Sequence, residues 1–192
     1  MDATPIPTKR WARVEYERLI DLAVFQPGDR IELVGGQLVV REPQGSPHAV
    51  AIRLAEEALR AAFGSGWEVR VQLPVALDDE SEPEPDLAVC AGCPRDYLAG
   101  HPTRPVLLVE VAETSLAFDR EHKGSLYARA RIRDYWIVNL LDRVLEVYRE
   151  PTPSADAPYA WRFSTLLRLG AADAVSPLAA PQTRIPVADL LP

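Results

Sequence analysis

Val106-Leu107-Leu108-Val109-Glu110-Val111-Ala112 is the stretch that decides how this chain is read. Side chains of a β-strand alternate between two faces, and here both alternating sets are apolar except at Glu110. Such a strand is buried on both sides, as in a sheet covered by helices. An ionised carboxylate in that setting is costly unless a cation compensates it. Two explanations stand. Glu110 forms a structural ion pair with an arginine or lies nearer a solvated strand end, or it serves a metal-binding or catalytic role, because functional sites collect perturbed acids.

Asp86 is the second acid of interest. It follows Pro85 and opens the short apolar run Leu87-Ala88-Val89-Cys90, which places a carboxylate at the mouth of a buried strand. Alone, a Pro-Asp step is also an ordinary strand entry. With Glu110 on a neighbouring strand it makes a two-carboxylate site, the donor set that holds Mg²⁺ together with waters and phosphate oxygens. Without metal such a pair repels itself, so removing one member is expected to cost little stability.

Lysine is rare: the chain has nineteen arginines but only Lys9 and Lys123. Lys123 falls in a helical stretch, residues 120–131, directly after the Glu110 strand. It shares a face with Leu126 and Tyr127 at spacings of three and four, so the spacing predicts that it points inward. The alternative is a side chain snorkelling from the helix edge.

The remaining elements read as α/β with a mixed sheet. Residues 14–23 suit a short helix. Residues 30–41 suit a hairpin turning at Gly35-Gly36. Ser46-Pro47 opens a helix that runs to Phe63, ended by Gly64-Ser65-Gly66. Residues 67–77 are β-rich, with Pro74 implying an edge or bend, and 78–86 form an acidic loop. Residues 134–140 and 143–149 make two further strands, 151–158 a polar loop, and 159–192 a strand, a proline-rich stretch and a short terminal helix.

With 192 residues, 47% apolar and 26% charged, the chain fits one domain over 1–192 with a sizeable core. The net charge of −7 argues against a bulk non-specific nucleic-acid coat. It leaves room for a local patch, for which Arg120, Arg129, Arg131 and Arg133 form the dense basic cluster; solvated helix charge is the alternative. Cys90-Ala91-Gly92-Cys93 has too few ligands nearby for structural zinc and follows a strand, unlike redox pairs at helix N-termini. The first eleven residues lack the apolar core of a signal peptide, and no apolar stretch is long enough to span a membrane, so a cytoplasmic protein is expected.

The ordered set Glu32-Leu33-Val34-Gly35-Gly36-Gln37-Leu38, Ser46-Pro47-His48, Pro85-Asp86-Leu87, Val109-Glu110-Val111, Asp119-Arg120 through Lys123 to Tyr127-Ala128, and Asp134-Tyr135-Trp136-Ile137-Val138 resembles the Uma-type restriction endonuclease family of the PD-(D/E)XK nuclease superfamily. The resemblance covers about residues 10–150, with 159–192 as a C-terminal extension. It implies a restriction-endonuclease-like core, a mixed β-sheet flanked by helices with an N-terminal hairpin. It also implies Mg²⁺- or Mn²⁺-dependent phosphodiester cleavage. Asp86 matches the PD aspartate and Glu110 the next acid, both as metal ligands. Ala112 stands where the standard motif has lysine, and Lys123 matches the position from which this family draws it. Glu32 matches the hairpin glutamate and is either a completing ligand or a solvent-facing residue.

His48 and Gln72 are candidate phosphate- or water-orienting groups, each with an ordinary structural alternative, and Arg120 is a candidate phosphate contact. The expected partners are nucleic acid, DNA foremost, and a second copy of the chain, with no membrane. The alternative function is a catalytically inactive nuclease core serving as an interaction module.

Overall fold

A computed structural model describes residues 8–26, 28–41 and 43–192. Residues 1–7 of the segment read above for a signal peptide lie outside it. Among the described residues no helix is long and apolar enough to cross a membrane.

The architecture is a mixed α/β sheet with cover on both faces. Six strands lie in the order in which they occur: β3 (Trp67–Val71), β4 (Leu87–Ala91), β5 (Leu107–Ala112), β6 (Asp134–Asn139), β7 (Val144–Pro153) and β8 (Trp161–Leu169). Every neighbouring pair is antiparallel except β5 and β6, which are parallel. A parallel step needs a crossover. The helical segment between β5 and β6 supplies it, as α3 (Leu116–Phe118), a π-helical turn (Asp119–Lys123) and α4 (Gly124–Arg129).

The alternation of side chains along β5 assigns the two faces. Leu107, Val109 and Val111 pack with α2 (Ser46–Phe63) through Ile52, Ala55 and Leu59, and with Val187 and Leu190 near the C-terminus. Leu108 and Ala112 face the other way, onto Leu126 and Tyr127 of α4. All six β5 residues are buried, as the doubly apolar pattern requires. Glu110 has the parity of Leu108 and Ala112, so its carboxylate projects toward the crossover helix.

Ahead of this sheet stand α1 (Arg13–Asp21) and a hairpin, β1 (Ile31–Val34) and β2 (Gln37–Val40). Gly35 and Gly36 form its two-residue turn at φ of 55° and 78°, the left-handed pair that a primed hairpin turn demands. The hairpin docks on the loop before β4: Glu82 N donates to Leu33 O at 2.8 Å and Gly36 N to Glu80 O at 2.7 Å. Two short strands, β9 (Ala174–Val175) and β10 (Ile185–Pro186), pair near the C-terminus.

Four expected boundaries move. The strand of residues 67–77 ends at Val71, because Gln72 turns at φ 50° and the chain beyond bonds its own acidic loop, Val75 N to Pro83 O and Leu77 N to Ser81 O. The polar loop expected from Pro151 begins later, because β7 continues to Pro153 through pairing with Trp161–Phe163 of β8. The helix expected over 120–131 begins at Leu116 and carries the π-turn. Helix α2 starts at Ser46 with Gly45 as its cap, one residue earlier than read.

Candidate active site

Strand register assembles the site. β4 pairs with β5 so that Leu87 faces Val109; one step on, Asp86 stands opposite Glu110. β3 pairs with β4 so that Val71 faces Leu87, and one step on Gln72 stands opposite Asp86. The backbone follows, with Gln72 N donating to Asp86 O at 3.0 Å. Gln72, Asp86 and Glu110 therefore form a row across three strands, on the face that carries the crossover helix.

Each carboxylate is held. Asp86 Oδ2 accepts from Val111 N at 2.9 Å, and Oδ1 from Gln72 Nε2 at 3.1 Å and Arg41 Nη2 at 3.1 Å. Burial alone would raise the Asp86 carboxyl, but His48, the Val111 amide and Lys123 outweigh it and hold it below the usual carboxylate range. Glu110 Oε1 accepts from Lys123 Nζ at 2.9 Å and Tyr127 Oη at 2.7 Å, while Oε2 lies 3.4 Å from Asp86 N. Full burial pushes the Glu110 carboxyl well up despite Lys123, and Asp119, Asp86 and Glu32 push it the same way.

Lys123 arrives from the π-turn and is 4% exposed. Burial alone would lower its ammonium; Glu110, Glu32 and Asp119 outweigh this and keep it firmly charged. Its second partner is Glu32 Oε1 at 3.3 Å. Glu32, 1% exposed, is thus no solvent-facing hairpin residue. Its other oxygen accepts Glu84 N at 2.8 Å and so holds the loop that delivers Asp86. Ala112, where a lysine was absent from the motif, packs in the apolar layer with Leu126 and Tyr127. The helix supplies the ammonium that the strand lacks.

Lys123 takes its inward position as its spacing from Leu126 and Tyr127 predicts. The π-turn also buries Asp119, four residues earlier, and such turns recur at functional sites. Burial raises the Asp119 carboxyl to about 6, partly offset by Lys123 and a 2.6 Å bond from Ser115 Oγ. These groups line a cavity of about 730 Å³ between the hairpin end, the start of α2 and the crossover helix.

His48, in the first turn of α2, reaches the cavity. Its Nε2 lies 3.3 Å from Asp86 Oδ2, at ion-pair distance but not aligned for a hydrogen bond. Gln72 is no idle edge residue, since it bonds Asp86 directly. Three participants went unread in the sequence: Arg41, Asp119 and Tyr127. Asp119 and Tyr127 each stand four residues from Lys123, which was the available signal. Arg41 carries none, because its place depends on how the hairpin docks.

Arg120 is not gathered with Asp86 and Glu110; it pairs with Glu146 on β7, two strands along the same row, and its Nε bonds Glu146 Oε2 at 3.0 Å. Arg129 pairs with Asp78 at 2.7 Å, and Arg131 stacks on Trp161 at 3.8 Å. The expected basic patch is largely spent on intramolecular partners.

Burial would raise Glu146, but Arg120, Asn139 and Tyr148 outweigh it and bring its carboxyl down to about 2. A depressed carboxyl stabilises the fold above its unfolded value near 4.3, and that contribution is lost as pH falls through the folded value. Urea melts of the wild type from pH 5 to pH 2 therefore lose stability steadily, and Glu146→Gln flattens part of that slope.

The CxxC is a turn. Cys90 is buried in β4 with its thiol raised to about 11, chiefly by burial; Gly92 turns at φ 97°; and exposed Cys93 donates its amide to Asp96 Oδ2 at 2.8 Å.

Comparison with known families now bears on this geometry. The family model Uma2, described as "Putative restriction endonuclease", matches residues 13–182. The chain belongs to the Uma2 family. In this Uma2 chain the match spans the hairpin, the three-strand row, the crossover helix and most of the C-terminal segment. The fold is similar to a crystal structure from Anabaena variabilis ATCC 29413, titled as a "putative nuclease belonging to DUF820". The TM-score is 0.61 at 12% identity, covering 88% of this chain and 94% of that one. No curated protein sequence matches the chain.

Proposed function

We propose that this Uma2 chain is a metal-dependent nuclease that hydrolyses phosphodiester bonds, with DNA as its foremost substrate. Asp86 and Glu110 would hold Mg²⁺ or Mn²⁺. The observation that carries the reading is the placement of Asp86 opposite Glu110 in one cavity, with a buried lysine fixed on Glu110.

The donor chemistry suits a hard cation. Glu32, Asp86, Glu110 and Asp119 are each at most 2% exposed, against the two cations Lys123 and Arg41 in the same cavity. Ionised together, these acids leave an unmet demand for positive charge, which is why burial raises Glu110 and Asp119. Mg²⁺ takes one or two carboxylates and keeps waters and substrate phosphate for its other positions, a demand that Asp86 and Glu110 could meet.

A bound divalent ion would polarise the phosphate and acidify a water. The chain's own residues do the rest. Lys123, kept charged by Glu110 and Glu32, is no base; it is a fixed positive charge for the negative charge that develops on phosphate during attack. Glu32 positions Lys123 and the loop that delivers Asp86. Gln72 and the Val111 amide fix the Asp86 carboxylate. Tyr127 shares Glu110 Oε1 with Lys123 and turns Oε2 toward Asp86. His48 stands where it can donate to a phosphate oxygen.

The test is an assay on DNA and RNA, duplex and single-stranded, with Mg²⁺, Mn²⁺ or EDTA, beside thermal melts in the same buffers. The expected result is cleavage with either metal, none with EDTA, and a metal-induced rise in Tm. Absence of both cleavage and shift would favour the inactive interaction module.

A further inference from the structure

The residue whose environment the proposed chemistry leaves unexplained is Arg41. Its backbone is fixed, because it follows β2 directly and its amide closes the hairpin onto Arg30 O at 2.7 Å. Its side chain is not locked in one fork. Nη2 reaches Asp86 Oδ1 at 3.1 Å and Nη1 reaches Glu84 Oε2 at 3.3 Å, so two acids are each touched once. Arginine's strong mode is the bidentate fork onto one carboxylate or phosphate. Here that mode is unused, and the guanidinium lines the cavity.

Asp86 Oδ1 is doubly occupied in this arrangement. It accepts from Gln72 and Arg41, while Oδ2 accepts from the Val111 amide and has His48 Nε2 beside it without a hydrogen bond. A cation that takes Oδ1 as ligand must displace Gln72 or Arg41. Val111 N belongs to the interior of β5, and Gln72 is anchored through its own amide on Asp86 O. Arg41 is the long, rotatable cation among them, attached to a separate two-stranded hairpin. It also has the most to gain by leaving, because like charges repel.

Once released, it is the cavity's available guanidinium among the described residues, since Lys123 is engaged by Glu110 and Glu32. A planar fork of donors is suited to phosphate oxygens.

We propose that Arg41 is a substrate-phosphate clamp that caps Asp86 in the metal-free protein and is displaced onto the phosphodiester when a divalent cation binds. The inference rests on the nuclease reading above. It makes metal and arginine competitors for one carboxylate, and arginine and substrate partners afterwards.

Opposite shifts in two affinities follow. Removing the guanidinium takes a like charge from beside the cation, an interaction of about 1 kcal/mol even at the dielectric of water, or about fivefold in Kd. It also removes charge-assisted bonds to phosphate, for an oligonucleotide affinity about tenfold weaker. Mn²⁺ alone is titrated calorimetrically into the wild type, Arg41→Gln and Arg41→Lys. A fluorescent oligonucleotide, single-stranded and duplex, is then titrated by anisotropy with Ca²⁺ in place of Mn²⁺, and circular dichroism checks each fold.

Arg41→Gln is expected to bind Mn²⁺ about fivefold tighter and the oligonucleotide about tenfold weaker. Arg41→Lys keeps the charge and loses the fork, so Mn²⁺ affinity stays near wild type while oligonucleotide affinity drops; this variant decides the matter if Arg41→Gln does not fold. Mn²⁺ affinity that falls with oligonucleotide affinity would make Arg41 a mere prop for Asp86 and overturn the proposal. So would unchanged Mn²⁺ affinity in Arg41→Gln. A wild type that binds no Mn²⁺ overturns the metal-dependent reading itself, an outcome distinct from both.

Discussion

Asp86→Asn and Glu110→Gln are each expected to abolish nucleic-acid cleavage, with turnover down at least about a thousandfold. On the proposed reading each change would remove a charged ligand from a bound cation that would supply several kcal/mol of transition-state stabilisation, and about 4 kcal/mol is a factor near a thousand. Single-turnover assays at saturating metal measure the effect. Cleavage that survives in both variants would place the activity at another site.

The two substitutions differ in their effect on folding. Removal of either acid was expected to cost little, on the ground that bare carboxylates repel. The structure corrects this for Asp86, whose carboxylate is bonded by an amide, Gln72 and Arg41 and is held below its usual range. The native state favours the ionised form, so Asp86→Asn, which removes the charge, should cost about 3 kcal/mol, as for other broken buried pairs. Glu110 is different. Its carboxyl is raised by burial, so the uncharged Glu110→Gln is tolerated. Urea melts of the two variants should separate accordingly.

The second large effect is on stability and belongs to Lys123. Lys123→Met keeps a similar volume but leaves Glu110 and Glu32 buried without their shared cation. Breaking such a pair costs about 3–5 kcal/mol. The sign of its pH dependence follows from Glu110. A carboxyl raised above its unfolded value destabilises the fold increasingly as pH climbs past that unfolded value, because the native state resists the ionisation. The loss should therefore be smaller at pH 5 than at pH 8. The double variant Lys123→Met/Glu110→Gln should recover part of it, a coupling that a double-mutant cycle measures. Equal losses at both pH values with no recovery would mean that packing, not charge, is the cause.

These expectations separate the two kinds of information in the chain. Local pattern carried the elements. The doubly apolar run around Glu110 announced a strand covered on both faces, Gly35-Gly36 a primed hairpin turn, and the Lys123, Leu126 and Tyr127 spacing an inward-facing helix side. The placement of Lys123 followed from that spacing, because helical periodicity is a local property. The pairing of Asp86 with Glu110 was legible only as a suggestion. Strand parity says which face each acid takes, but register says which residue it meets, and register is set by contacts across strands.

What lay beyond the sequence was long-range. Gln72 reached Asp86 because β3 and β4 pair in one register. Arg41 reached it because the hairpin docks on the loop before β4, forty-five residues away in the chain. Arg120, read as a candidate phosphate contact, pairs with Glu146, because a charge cluster in sequence does not reveal which carboxylates folding brings opposite it. Residue type and spacing determined the elements and the acids that matter. Docking of the hairpin and the row of register across the sheet decided which cations answer them.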